Sequence, residues 1–552
     1  MRAALLRIAC ALAAFGLPAA ALAQESGEAT AEEQGPSQQG KHAEFVPYIE
    51  ATQVLSSELE PGNDTVTYTS LAVGVDASVS GRNSAASISL RYERRFGWED
   101  DDDVDGDTIS GIARAGIAVA EGLTLEAGGM AAQTRVEGNG FSSVGGFVGN
   151  EDSTSQVYSV YAGPSVHAME GDVEIQGHYR LGYTRVEEPD VLLTAPGQAP
   201  ADIFDESTTH AAYARVGTRP NTMLPVGVGL GAGYTQQDVS NLDQRVVDGH
   251  VRADVTVPVS PTVALVGGVG YENVEVSSRD AVRDADGDPV IGDDGRYVTD
   301  ESAPRVIAYE AEGLIWDVGV MWRPSRRTSL EAYVGERYGT MTYRGSFSYA
   351  PDSRTSLNVS VYDNLTGFGG MMVDQLAGLP AQFDAFRNAI TGQTGGCVAA
   401  LQGDSCITSA LGSVRSAVFR SRGIASSYSV NLGRTQFGVG VGYDHREYIG
   451  AEGTVLEDVD GVVDETVWLS AYAGTALDEL SDLSFNANAS WFESTLDLDG
   501  DVLGYSTSLA YRRDLTRGLS GTAAIGLDGV SRENLPDFLT ASALLGLRYS
   551  FD

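Results

Sequence analysis

The sequence is short of lysine, cysteine and histidine, and it contains no long apolar run. Lysine occurs once, at Lys41, so nearly every positive charge is an arginine. Guanidinium groups suit pairing with carboxylates, phosphates or lipid head groups. Against 36 basic residues stand 76 acidic ones, a net charge of −40. Such a balance excludes nucleic acid as a natural partner. Three cysteines are present, and Cys10 falls in an apolar leader, leaving Cys397 and Cys406. No histidine or third cysteine stands beside that pair to complete a zinc set, so a disulfide is expected of an exported chain. The six histidines are scattered, and neither a Gly-flanked nucleophilic serine nor a phosphate-binding loop occurs. No catalytic role is expected. Beyond the leader no apolar stretch approaches the ~18 residues of a spanning helix, which excludes a helical inner-membrane protein.

What is present begins with a secretory signal over residues 1–23: Arg2 and Arg7, the apolar run Ile8–Ala20, then Ala21-Leu22-Ala23. Residues 24–43 are rich in Glu, Gln, Gly and Ser, and are expected to form a disordered periplasmic lead. From residue 44 to the end one motif recurs, about ten residues alternating apolar with small or polar and then a break. Leu71, Val73, Val75, Ala77 and Val79 alternate with Ala72, Gly74, Asp76 and Ser78. Leu483, Phe485, Ala487, Ala489 and Trp491 alternate with Ser484, Asn486, Asn488 and Ser490.

The breaks alternate in kind. One set is short, as at Ser80–Asn83, Glu121-Gly122, Met169–Asp172, Pro258–Pro261, Arg323–Arg327, Pro351–Arg354 and Leu515–Gly518. The other is longer and mostly acidic, over 99–107, 137–153, 187–207, 277–304, 367–423 and 449–463. A soluble sandwich has no reason to sort its connections in this way. An outer-membrane barrel does, with short periplasmic turns and long extracellular loops. The expectation is an all-β chain forming one large transmembrane antiparallel barrel of about 22 strands, within a range of about 18 to 24. Aromatics near segment ends, at Tyr92, Phe96, Trp98, Trp316, Trp322, Tyr505 and Tyr511, fit interfacial girdles.

The last strand reads Leu544-Leu545-Gly546-Leu547-Arg548-Tyr549-Ser550-Phe551. Gly546, Tyr549 and Phe551 resemble the terminal signal read by the outer-membrane barrel assembly machinery. A second resemblance lies in Trp316-Asp317-Val318-Gly319-Val320-Met321-Trp322-Arg323-Pro324-Ser325-Arg326-Arg327-Thr328, then Gly335-Glu336-Arg337-Tyr338-Gly339 and Ser360–Thr366. These residues resemble the outer-membrane barrel family found with PEP-CTERM and exopolysaccharide gene clusters. The resemblance covers about 50 residues, and it implies fold and location, with exopolysaccharide as an associated polymer.

Three loops carry D-x-D-G-D: Asp103, Asp105 and Asp107; Asp284, Asp286 and Asp288; Asp497, Asp499 and Asp501. Alternate carboxylates around a glycine can surround calcium, and the alternative is a solvated Asp-Gly turn. No cofactor is expected unless these loops hold calcium, between loops or against lipopolysaccharide. The alternation aims Arg91, Glu93, Asp317, Glu331, Arg337, Asp444, Arg446, Asp528 and Arg548 into the lumen, with Tyr333, Tyr362, Trp468 and Tyr472. Two roles suit them: a wall of ion pairs that stiffens the interior, or a lining that orients a polar solute and stacks on sugar rings. Loop 367–423 contains a helix-like piece, Asp374–Ile390, the cysteine pair, and an apolar patch at Val414–Phe419. A loop of that length is rarely structureless; it folds inward as a constriction or caps the mouth from outside. The expected function is a passive channel or export component for polar solutes. The alternative is a structural or adhesive barrel whose acidic loops bind cations or surface polymer.

Overall fold

In the computed structural model the described residues are 42–551, apart from 63, 99–103, 137–140, 145–153, 188–202, 293, 400–404, 408–409, 497–499 and 535. The leader and the lead to residue 41 lie outside them. The first strand begins at His42, two residues before the expected start of the barrel.

Alternation becomes wall. In the strand Ser481–Ser494, Asn486, Asn488, Ser490 and Phe492 turn inward and are buried, while Phe485 and Trp491 face out and are exposed. Small polar side chains on the inner face hydrogen-bond along and across strands, as Ser470 does to Asn488 (2.7 Å) and Asn488 to Asn486 (2.9 Å). Outward apolar residues have no protein to pack on: Leu314 is 76% and Leu545 69% exposed. In a protein of this size such a surface needs hydrocarbon against it.

The strands form one antiparallel ring of 22, in sequence order. A further short strand, Ser142–Val144, pairs only with the end of Leu123–Val136. The ring closes where His42–Glu60 pairs with Phe538–Ser550, from Tyr48 opposite Ser550 to Glu60 opposite Leu539. Closure leaves no open edge and satisfies the backbone inside the bilayer. Both ends of the ring sequence thus lie at the periplasmic rim. Short turns gather there: Glu121-Gly122 and Arg517-Gly518 each join two strands directly, with Gly122 at φ 75° and Gly518 at φ 76°, a region closed to most side chains. Long connections gather at the opposite, extracellular rim. This is the transmembrane barrel of an outer membrane.

Outward aromatics mark both rims. On the extracellular side Tyr92 donates to Asp107 (2.8 Å), Tyr443 to Glu465 (2.6 Å) and the Trp316 indole to Glu336 (3.0 Å). On the periplasmic side Trp322, Tyr549 and Phe551 are exposed. The Phe551 amide donates to the Pro47 carbonyl (2.9 Å), tying the terminal aromatic to the first strand. Gly546 faces inward opposite Thr52, where a Cβ would lie 2.9 Å from the threonine methyl.

Candidate functional site

The lumen wall is built from ion pairs. Arg91 meets Glu50 (3.0 Å) and Glu93 (2.7 Å), and Glu93 also holds Arg95 (3.1 Å). Asp317 receives Arg252 (2.7 Å) and lies 3.7 Å from Arg344. Glu331 pairs with Arg323 (2.5 Å). Arg337 spans Asp248 (2.5 Å) and Glu272 (3.0 Å). Asp444 accepts from Arg446 (2.8 Å) and Ser421 (2.6 Å). Arg548 donates to Asp76 (2.8 Å) and covers the ring of Tyr48 at 3.5 Å. Asp528 is buried in the same wall.

The inward aromatics are occupied. The Arg344 guanidinium covers Tyr333 at 4.6 Å, Tyr362 donates to Asp444 (3.4 Å), and Tyr472 stacks on Phe386 with ring centroids 3.8 Å apart. Trp468 is 1% exposed and lies over Gly442, where a Cβ would come within 2.6 Å of the indole. These rings fill space and hold partners.

Sequence reasoning left open where the longest loop goes; it turns inward. A helix, Phe368–Gly378, follows directly on the strand Thr355–Thr366. It starts and ends earlier than the expected Asp374–Ile390 because Pro380 forces Leu379 into an extended conformation. Gly369 and Gly370 sit against the wall, and a Cβ on Gly369 would lie 2.0 Å from Ser207 Oγ. Phe368 packs on Phe204 at 5.0 Å, and the Arg114 guanidinium reaches the C-terminal carbonyls of Ala377 (3.4 Å) and Leu379 (3.3 Å). A cation there opposes the negative end of the helix dipole.

Beyond the helix the segment crosses the lumen. The Phe383 amide donates to Ser87 (3.0 Å), and Arg387 donates to Ser89 (3.0 Å) and Ser110 (2.9 Å). The Gln393 side chain accepts from the Gln133 amide (3.1 Å). On the return, Gln244 donates to the Ser416 carbonyl (3.1 Å) and Arg446 to the Ser413 carbonyl (3.0 Å). These wall residues belong to strands spaced around the ring. Phe368, Met372, Val373, Leu376, Leu411 and Val414 form an apolar core with Ile112, Val157 and Val186 of the wall. Val414, Ala417 and Phe419 of the expected apolar patch are buried in it.

Beneath the segment, in the periplasmic half, is a cavity of about 460 Å³. Asp384, Arg387 and Gly392 roof it; Glu50, Asp76, Arg91 and Arg548 form its inner wall; Glu44, Asp482 and Arg512 stand nearer the periplasmic turns. Enclosure and then the nearby Glu44 raise the Asp384 carboxyl above the ordinary range.

Of the three D-x-D-G-D loops, Asp284–Asp288 lies wholly within the described residues. In the loop that is fully described, Asp284 turns its carboxylate onto the amides of Asp286 (2.9 Å) and Asp288 (3.0 Å). Both bonds use one oxygen of Asp284, as an Asp-Gly turn does, and the carboxylates of Asp286 and Asp288 take no part in them. Asp105 accepts from the Gly97 amide (2.6 Å), Asp107 pairs with Arg94 (3.2 Å), and the Asp501 amide faces Glu533 (3.5 Å). Asp103, Asp497 and Asp499 lie outside the described residues. Among the described residues no group of three acidic, histidine or cysteine side chains converges. Cys397 and Cys406 face each other across two short paired strands, Thr394–Ala399 and Ser405-Cys406; their side chains lie outside what is described.

No family model matches the chain, and no curated protein does. Among solved structures it is similar to the FrpB iron transporter from Neisseria meningitidis (F3-3 variant), at TM-score 0.40 and 10% identity over 92% of this chain and 81% of that one. It is also similar to the siderophore receptor PiuA from Acinetobacter baumannii, at TM-score 0.39 and 7% identity over 93% and 82%. The copper transporter OprC gives TM-score 0.36 and 12% identity over 94% and 82%. Likeness of this order carries no information on substrate.

Proposed function

We propose that the chain is an outer-membrane transport barrel that passes small polar solutes, passively or as part of an export route, past a constriction formed by residues 367–418. It catalyses no reaction. One observation carries this reading: a charged cavity of about 460 Å³ persists in the lumen on the periplasmic side of the inward segment. A barrel serving only as a scaffold gains nothing from holding an ion-lined space there. The ladder of Arg252, Asp317 and Arg344 continues the charged lining along the far wall, so a permeating solute meets fixed charges of both signs. The segment Trp316–Thr366, with its resemblance to barrels of exopolysaccharide clusters, directs attention to sugar acids and their polymers. Insertion through Gly546, Tyr549 and Phe551 by the barrel assembly machinery, into a leaflet of lipopolysaccharide, is part of the same reading.

The close packing of the segment favours one alternative: a structural or adhesive barrel whose acidic loops bind cations or surface polymer. Liposome swelling separates the two. Vesicles carrying the folded protein should swell in monosaccharide solutions faster than empty vesicles. Swelling no faster than the empty control, with the protein shown to be inserted, would favour the scaffold.

A further inference from the structure

We infer that the roof of the periplasmic cavity is a binding site for a small oxyanion, a carboxylate or phosphate, with Arg387 as its anchor. The inference rests on the transport reading and names the class of solute. Its starting point is a charge without a counterion. Arg91, Arg95 and Arg548 of the wall are balanced by Glu50, Glu93 and Asp76. Arg387, on the inward segment, forms no ion pair among the described residues. Its Nη1 donates to Ser110 Oγ (2.9 Å) and to the Gly392 carbonyl (2.8 Å), and its Nη2 donates to Ser89 Oγ (3.0 Å). A guanidinium has five N–H donors; here the Nε–H and one Nη2–H remain unused.

An unpaired cation in an enclosed site is unfavourable, and a solute that brings the missing negative charge gains what the protein left open. Guanidinium forks match the two oxygens of a carboxylate or phosphate, and charge-assisted bonds of this kind are among the strongest available. The hydroxyls of Ser89 and Ser110 fix the fork in place. Arg387 lines the cavity directly, and the volume of about 460 Å³ is within the range of small-molecule sites. Of the acidic groups of the cavity, Glu50 and Asp76 are engaged by Arg91 and Arg548, Glu44 and Asp482 stand toward the turns, and Asp384 shares the roof with Arg387 without forming an ion pair with it among the described residues. They exclude polyanions from the mouth and leave the inner end to a compact anion.

The test is isothermal titration of the folded, detergent-solubilised full chain with glucuronate and, separately, with inorganic phosphate. Saturable binding of either supports the site, and the stronger of the two identifies the preferred oxyanion. Arg387→Gln should weaken binding about tenfold or more, the effect of losing a charge-assisted fork. Glu50→Gln, which removes one of the two carboxylates that Arg91 meets and so adds positive charge, should strengthen it. The second variant keeps the inference testable if the first loosens the segment. Binding of neither anion, or binding indifferent to both substitutions, overturns it. A protein that swells liposomes yet binds no anion loses this inference and keeps the transport reading; one that binds anion without conducting does the reverse.

Discussion

Arg446 shows what a single side chain does in this interior. It is 1% exposed, pairs with Asp444 at 2.8 Å, donates to the Ser413 carbonyl at 3.0 Å, and lies over the ring of Phe419 at 4.9 Å. One guanidinium therefore neutralises a buried carboxylate of the wall and fastens the returning limb of the inward segment. Arg446→Ala leaves Asp444 buried without its cation, a loss of about 3–5 kcal/mol. The urea midpoint followed by tryptophan fluorescence should fall markedly, and an unchanged midpoint would show that Asp444 does not need this partner. Alternation alone placed Arg446 and Asp444 on the inner face, because a period of two assigns faces without tertiary information. The partner carbonyl lies 33 positions away in a loop, and no local pattern reports it. The aspartates of 284–288 teach the opposite lesson. D-x-D-G-D is compatible with a cation cage and with a self-satisfied turn, and the choice depends on backbone amides that a motif does not reveal.

At the scale of elements, strands were legible and the helix less so. Segments such as Leu71–Val79 and Leu483–Trp491 carry their own evidence, since each strand meets two solvents and its sequence records both. The helix Phe368–Gly378 is buried among wall residues on several sides, so it has no clean amphipathic stripe to read. Its two early glycines argue against helix by propensity and are retained because Ser207 and Gln237 leave no room for a Cβ. Strand closure makes a sharp prediction of register. Ala51 lies directly opposite Leu547 on the pair that seals the ring, and opposed residues of antiparallel strands are close enough for a disulfide. Ala51→Cys with Leu547→Cys should oxidise to a cross-linked form with altered mobility on non-reducing gels. Ala51→Cys with Tyr549→Cys, one inner–outer repeat out of register, should not. Cross-linking of the second pair in preference to the first would refute this closure.

On the scale of the whole molecule, a barrel wide enough for an aqueous lumen spends part of that lumen on its own chain. Overall composition, the sorting of turns and loops, and the outward apolar face made the barrel and its strand number legible from the sequence. Whether the loop of residues 367–423 would close the mouth from outside or enter the lumen was not legible. That outcome depends on contacts such as Arg387 with Ser89 and Gln133 with Gln393, between positions hundreds of residues apart. The wall does not need the segment to close: Thr366 already lies opposite Phe419 on adjacent paired strands, so a short Gly-Ser linker can replace residues 368–418. Single-channel recording in planar bilayers of the natural chain and of this shortened one tests the arrangement most directly. The shortened barrel should show stable steps severalfold larger than those of the full chain. Equal conductance in the two, with both correctly inserted, would mean that the segment does not occupy the conducting path.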